Sequence, residues 1–203
     1  MSKLNSKSSS FIKDLIGIDS SVEELFTSYL GLVNNVCMIG ICGMGGLGKT
    51  TLARAVYNRF SNQFEGCSFI ANVREVSKNG GLISLQQQLL EEILKEKISK
   101  IWNVCRGVDM IKSRLHRKKV LLVLDDVYQL DQLEKLAGED GWFGLGSWII
   151  ITTRNKRLLV QHGVHNIYKP NLLNREDALK LFCLKAFKNE NPREGYEQLC
   201  TLC

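Results

Sequence analysis

Gly43, Gly45, Gly46 and Gly48 fall within six positions and run straight into Lys49, Thr50 and Thr51, in the stretch CGMGGLGKTTLA. Glycines this dense cost chain entropy unless the loop curls through positive φ angles or lets its backbone touch a ligand. Glycine, four residues, then Gly-Lys-Thr is the spacing at which successive backbone N–H groups form an anion nest. In that pattern the backbone from Gly43 through Met44, Gly45, Gly46, Leu47 and Gly48 would wrap phosphates. Lys49 would reach the β and γ phosphates, the Thr50 hydroxyl would ligate Mg²⁺, and Thr51 would lie near the α phosphate. The apolar run before the loop, VCMIGI, reads as a buried strand, and the residues after it as a helix whose positive dipole end adds to the nest. A nucleotide's phosphate tail is the ligand this arrangement predicts; a merely flexible turn would need neither the lysine nor the threonine.

Such a site needs a carboxylate at the end of a second buried strand, and KVLLVLDDV supplies two. Asp125 is the candidate partner of Mg²⁺, directly or through water. Asp126 sits where larger P-loop ATPases carry a glutamate that polarises the attacking water. Its side chain is one methylene shorter, so hydrolysis is expected to be slow, with Lys49 and Asp126 as the catalytic pair. The plainer reading of two adjacent aspartates, a strand cap, leaves their mutual repulsion unanswered. The third piece is IIITTRN, where Arg154 follows a buried strand and could sense a γ phosphate. Taken alone, that arginine would be a surface residue.

Other candidate groups carry less. Seven cysteines, an odd number and scattered, read as reduced thiols in a reducing compartment. Cys200 and Cys203 form a CxxC without a second pair, and His162 and His165 lie three apart in a loop-like QHGVHN, which suits surface or packing histidines. The formal charge of +6 owes much to KSRLHRKK at 112–119, read as a solvated helix end running into a strand, so nucleic acid is not the predicted partner.

The elements that must position these residues alternate. Strands are predicted at 36–42, 67–73, 119–125, 147–153 and, more weakly, 166–170. Between them fall helical spacings: Leu52, Ala55, Val56 and Phe60; then Leu82, Leu85, Leu89, Ile93 and Leu94; then Val108, Ile111 and Leu115; then Leu130, Leu133 and Leu136. Strands apolar throughout and separated by helices indicate an α/β fold with a parallel sheet covered on both faces. At 203 residues, 44% hydrophobic and 24% charged, the chain sits in the globular range. MSKLNSKSSS reads as a linker over 1–13, and no apolar run is long enough for a membrane span, which makes a cytoplasmic protein the default.

Taken in order, LIGIDSSVEEL, MIGICGMGGLGKTTLA, FIANVREVS, KKVLLVLDDV, GSWIIITTRN and LLNREDALKLFCLKAF resemble the NB-ARC module of plant intracellular immune receptors. FIANVREVS and LKAF are similar to the branch whose receptors begin with a Toll/interleukin-1 receptor-like (TIR) domain, the TIR-type NBS-LRR disease resistance proteins. The resemblance implies a P-loop NTPase three-layer sandwich with a five-stranded sheet of order 5-1-4-3-2, the strand before Arg154 lying between the P-loop strand and the Asp125 strand. It implies an ADP/ATP switch of the signal-transducing ATPase class, with weak Mg²⁺-dependent hydrolysis. Ile16 and Ile18 match a segment that packs on adenine. The nucleotide-binding domain is expected over 14–165, and the start of a helical ARC subdomain, with Ala178, Leu181, Phe182 and Phe187 in near-helical spacing, over 166–203. The winged helix, the TIR domain and the leucine-rich repeats of such receptors would be partners outside this stretch, self-association is a further expectation, and the chain reads as a fragment. Two other readings stay open: a P-loop kinase acting on a small metabolite, and an inert interaction fragment with a vestigial site.

Overall fold

The computed structural model describes residues 16–31, 34–78 and 80–188. The expected linker over 1–13, the Cys200–Cys203 pair and the end of the expected helical segment lie outside them. Contacts divide the chain into one unit of residues 24–170 and another of residues 1–23 with 171–203. In chain order the elements are α1 (Ile18–Leu25), β1 (Cys37–Cys42), α2 (Lys49–Phe60), β2 (Gly66–Ile70), α3 (Val73–Ser77), α4 (Leu82–Leu94) and α5 (Val104–Leu115). There follow β3 (Val120–Val127), α6 (Leu130–Leu136), β4 (Trp148–Thr153), α7 (Lys156–His162), β5 (Asn166–Tyr168) and α8 (Arg175–Phe187).

The larger unit is built on a five-stranded sheet of order β2-β3-β4-β1-β5, every pairing parallel. This is the α/β P-loop order expected, read from the other edge. Parallel strands need crossovers, and helices on both faces bury them, which is why β3 and β4 show no polar alternation over their apolar lengths. The parallel register also puts the carboxyl ends of β1, β3 and β4 at one edge: Cys42 pairs with Thr153, and Leu124 with Ile151. β5 pairs with β1 through Ile39–Asn166 to Ile41–Tyr168, so residues 166–168 lie in the sheet, past the boundary of 165 drawn from the sequence.

Packing accounts for several local choices. Gly40 in the interior strand β1 faces α7, and a Cβ there would stand 2.3 Å from Cδ1 of the buried Leu159. The glycine is what lets that helix approach. At the opposite edge of the sheet from the glycine loop, Phe26 stacks on Phe60 with centroids 5.2 Å apart, and Phe60 and Phe64 meet the Trp148 ring edgewise at 5.3 and 5.0 Å. These rings close the amino end of the core.

Three sequence expectations are corrected here. The strand predicted over 67–73 stops at Ile70, because Asn72 turns left-handed (φ 54°) and Val73 opens α3. On α2 the inward small residue is Ala53, buried with Leu52, Val56 and Phe60, while Ala55 is half-buried. His162 is not in a loop: it ends α7, which Gly163 terminates at φ 86°. Its ring nitrogens are buried beside the Ala137 backbone, and burial pulls its pKa down, so it is a packing imidazole.

The basic run also resolves into local contacts. Lys112 stands over the Trp142 ring at 4.9 Å, Lys119 over Phe64 at 5.1 Å, and Arg114 pairs with Glu96. In the smaller unit, Asn174 caps α8 by accepting the Asp177 N–H at 2.8 Å, and Phe182 meets Phe187 edgewise at 6.0 Å.

Candidate nucleotide site

β1 ends at Cys42 and the chain enters the glycine loop, which turns left-handed at Gly46 (φ 84°) and Gly48 (φ 73°) before α2 begins. Nothing lies within 4 Å of a Cβ added at either position, so that side of the loop is open. Gly48 occupies the N-cap of α2 and offers no side-chain cap, and the first turn holds no acidic residue. The leading N–H groups and the positive end of the helix dipole therefore face outward uncompensated by the helix itself.

Lys49 is largely buried, at 9% exposure, and its Nζ donates to the Met44 carbonyl at 2.6 Å. Burial, and then the Arg154 cation, hold its pKa below the usual lysine value, while Asp126, Cys42 and Asp125 act the other way. Arg154 leans over the loop: a Cβ built on Gly45 would be 3.3 Å from its guanidinium carbon. Two cations thus converge on one glycine turn.

The Thr50 hydroxyl donates to Asp125 Oδ1 at 2.7 Å, joining positions 75 residues apart in sequence. Asp125 is 3% exposed at the end of β3, and Asp126 beside it is half-buried. Asp126 has a left-handed backbone (φ 55°), and at this point β3 carries two residues opposite the single Thr152 of β4, since Leu124 pairs with Ile151 and Val127 with Thr153. Regular alternation would throw adjacent side chains to opposite faces of the sheet; a bulge with one left-handed residue re-aims one of them. Both carboxylates consequently act on Lys49.

The larger unit therefore gathers Gly43 through Thr50, Asp125, Asp126 and Arg154 at one sheet edge. Thr51 lies exposed in the first turn of α2. Ile16 and Ile18, expected against adenine, belong to the smaller unit.

A glycine turn running into a helix, met by a threonine-bonded carboxylate from the parallel strand two places away, agrees with the comparison to protein families. Residues 18–192 match the model of the NB-ARC domain. The chain belongs to the NB-ARC family. It is 45% identical over 187 residues to the disease resistance protein RPV1 of Vitis rotundifolia, covering 92% of this chain and 13% of that protein. It is 41% identical over 205 residues to the TMV resistance protein N of Nicotiana glutinosa, covering 98% and 18%. The chain thus spans less than a fifth of the length of these relatives. Among solved structures, the ORC2 protein of Aeropyrum pernix, described as ADPNP–ADP complexes, superposes with a TM-score of 0.54 at 16% identity, over 81% of this chain and 50% of that one. At that identity the likeness concerns the fold.

The donor set of this NB-ARC chain suits a magnesium nucleotide. A hydroxyl and a carboxylate already meet at hydrogen-bonding distance, and hard oxygens of this kind, with phosphates and waters, are what Mg²⁺ takes. Among the described residues no group of three or more His, Cys, Asp or Glu could hold a metal without them. Sequence reasoning passed over the hydroxyls of Thr152 and Thr153, both buried, and the buried Gln132, whose Oε1 accepts the N–H groups of Tyr128 and Gln129 while its amide donates to the Ser77 hydroxyl. A signal existed for the threonines: they are the polar residues in a strand otherwise made of Trp and Ile.

Proposed function

We propose that this NB-ARC chain binds ADP or ATP with Mg²⁺ and serves as the nucleotide switch of a plant disease-resistance receptor, hydrolysing ATP slowly. The observation that carries this reading is the 2.7 Å bond from Thr50 to Asp125 beside the buried Lys49, which brings the glycine turn and a strand-end carboxylate to one point. The loop N–H groups would hold the phosphates and Lys49 would exchange the Met44 carbonyl for β and γ oxygens. Thr50 and Asp125 would hold Mg²⁺, which when bound neutralises phosphate charge. Asp126 would take the proton of the attacking water as its oxygen bonds to the γ phosphorus and the bond to the bridging oxygen of ADP breaks. Arg154, already over the loop, would report whether that phosphate is present.

No helix described is long and apolar enough to cross a membrane. The relatives named above are several times longer than this chain, and a cytoplasmic location with TIR, winged-helix and repeat domains as covalent partners is part of the same proposal. The test is calorimetric titration of the chain with ADP and with ATP in Mg²⁺. Binding of both is expected, and loss of both in Lys49→Ala, which removes charge-assisted bonds and should weaken affinity on the order of a hundred-fold or more. Unchanged affinity in that variant would refute the assignment.

A further inference from the structure

The two aspartates are tied to each other by one side chain that neither of them contacts in sequence. Thr152, 1% exposed, is the single β4 residue facing the bulge, and its hydroxyl makes two hydrogen bonds there. It donates to Asp125 Oδ1 at 2.7 Å and accepts the Asp126 N–H at 2.9 Å. The second bond satisfies a backbone donor that the bulge takes out of the ladder, and it does so at the residue held at φ 55°. The first, together with the donation from Thr50, loads two hydroxyls onto the same carboxylate oxygen. That leaves Oδ2 as the oxygen for the cation and its water.

Thr153, the next residue, has a hydroxyl with a different task. It donates to the Val127 carbonyl at 2.7 Å and accepts the Asn155 N–H at 3.1 Å, so it ties strand ends together and touches neither carboxylate. Adjacent threonines, both buried, thus separate into one that fastens backbone and one that fastens the acidic pair.

We propose that Thr152 is a positioning residue: it stabilises the bulge and thereby aims Asp125 at Mg²⁺ and Asp126 at the attacking water. This rests on the nucleotide reading above. Without the hydroxyl, the Asp126 N–H is unpaired, Asp125 can rotate about its χ angles on the single Thr50 bond, and the pair loses its common orientation. The phosphate-binding loop, which Thr152 does not touch, should be indifferent to the change.

The experiment compares wild type, Thr152→Val, Thr152→Ser and Thr153→Val of the whole chain. ADP binding is titrated calorimetrically in EDTA and at stepped Mg²⁺ concentrations, phosphate release is measured from ATP, and melting is followed throughout. For Thr152→Val the expectation is ADP affinity in EDTA within about two-fold of wild type, a Mg²⁺ midpoint raised about ten-fold or more, and phosphate release reduced in parallel, because partners that orient a metal ligand carry effects of this size. Thr152→Ser, which keeps the hydroxyl, should restore both. Thr153→Val should lower the melting temperature and leave the Mg²⁺ midpoint where it was. A wild-type Mg²⁺ midpoint in Thr152→Val overturns the proposal, as does an equal shift in Thr153→Val, which would make the effect one of strand packing. If the valine variant does not fold, Thr152→Cys, of similar shape with a weak donor, carries the same comparison. A wild-type chain that binds neither nucleotide in either buffer sinks the nucleotide reading and the inference with it. Wild-type binding with an unresponsive Thr152→Val sinks the inference alone.

Discussion

Lys49 sets the pH response of the site. Its ammonium is disfavoured by burial and by the Arg154 charge, so in the free protein it loses its proton at a pH below the usual lysine range. Phosphate favours the ammonium. ADP affinity should therefore be flat from neutral pH upward and then fall as pH rises through that lowered value, by up to about ten-fold per unit, and Lys49→Ala should show no such fall in whatever binding remains. A wild-type profile flat across the ordinary lysine range would remove Lys49 from the phosphates. For folding the sign is opposite. A lysine whose folded pKa lies below its unfolded value makes the charged form a cost at neutral pH, and stability is recovered as pH climbs through the lowered value. Asp126 yields a second outcome: Asp126→Asn keeps a residue that tolerates φ > 0 and removes the base, so nucleotide affinity should hold while phosphate release drops on the order of 10²–10⁴-fold. Undiminished release would take the carboxylate out of the proton transfer.

At the scale of elements, helix and strand identity follow from periodicity wherever burial is one-sided or complete. β1, β3 and β4 were legible because their apolar runs have no polar interruption, and α4 and α5 because leucines and isoleucines recur at helical spacing. α7 was not, since KRLLVQH is seven residues long and buries two adjacent leucines, Leu158 and Leu159, which a short strand could also do. The bulge was equally invisible. It is met by a hydroxyl on a strand distant in sequence, and nothing local to LDDV encodes it beyond the readiness of aspartate to adopt φ > 0. The motifs thus gave the ends of the site's strands, while the aim of their side chains is a property of the sheet. Gly40 is the clearest point where element packing hangs on one atom. Gly40→Ala would drive a methyl to 2.3 Å from Cδ1 of the fully buried Leu159, so that side chain must shift, and overpacking of this kind costs about 1–3 kcal/mol. Chemical denaturation should register that loss with an unchanged slope, and Gly40→Ala combined with Leu159→Ala should cost less than the two single losses added; a neutral single variant would mean that α7 is free to shift.

On the scale of the molecule, the basic balance and the nucleotide site are separate matters. Lys112, Arg114 and Lys119 are engaged with Trp142, Glu96 and Phe64, so the formal charge of +6 is not focused on the phosphate loop, where Lys49 meets the charges of Arg154, Asp125 and Asp126. What couples the site to the whole fold is topology. The loop hangs between β1 and α2, Asp125 ends β3, Arg154 follows β4, and all three strands belong to one parallel sheet, so a ligand held by all of them must oppose its separation. A ligand that binds only the folded chain stabilises it by mass action, about 2.7 kcal/mol at a hundred times its dissociation constant. For a chain of this size that corresponds to a rise of roughly 5–10 °C in melting temperature. ADP with Mg²⁺ should produce that shift in wild type, a smaller one in EDTA, and none in Lys49→Ala. Two variants separate the anchors: Asp125→Asn should lose the Mg²⁺ increment and keep the EDTA shift, because the phosphate turn remains, whereas Arg154→Ala should keep the ADP shift and lose only the additional rise that ATP gives over ADP. An Arg154→Ala protein still distinguishing ATP from ADP by melting would assign γ phosphate sensing to another group on the sheet edge.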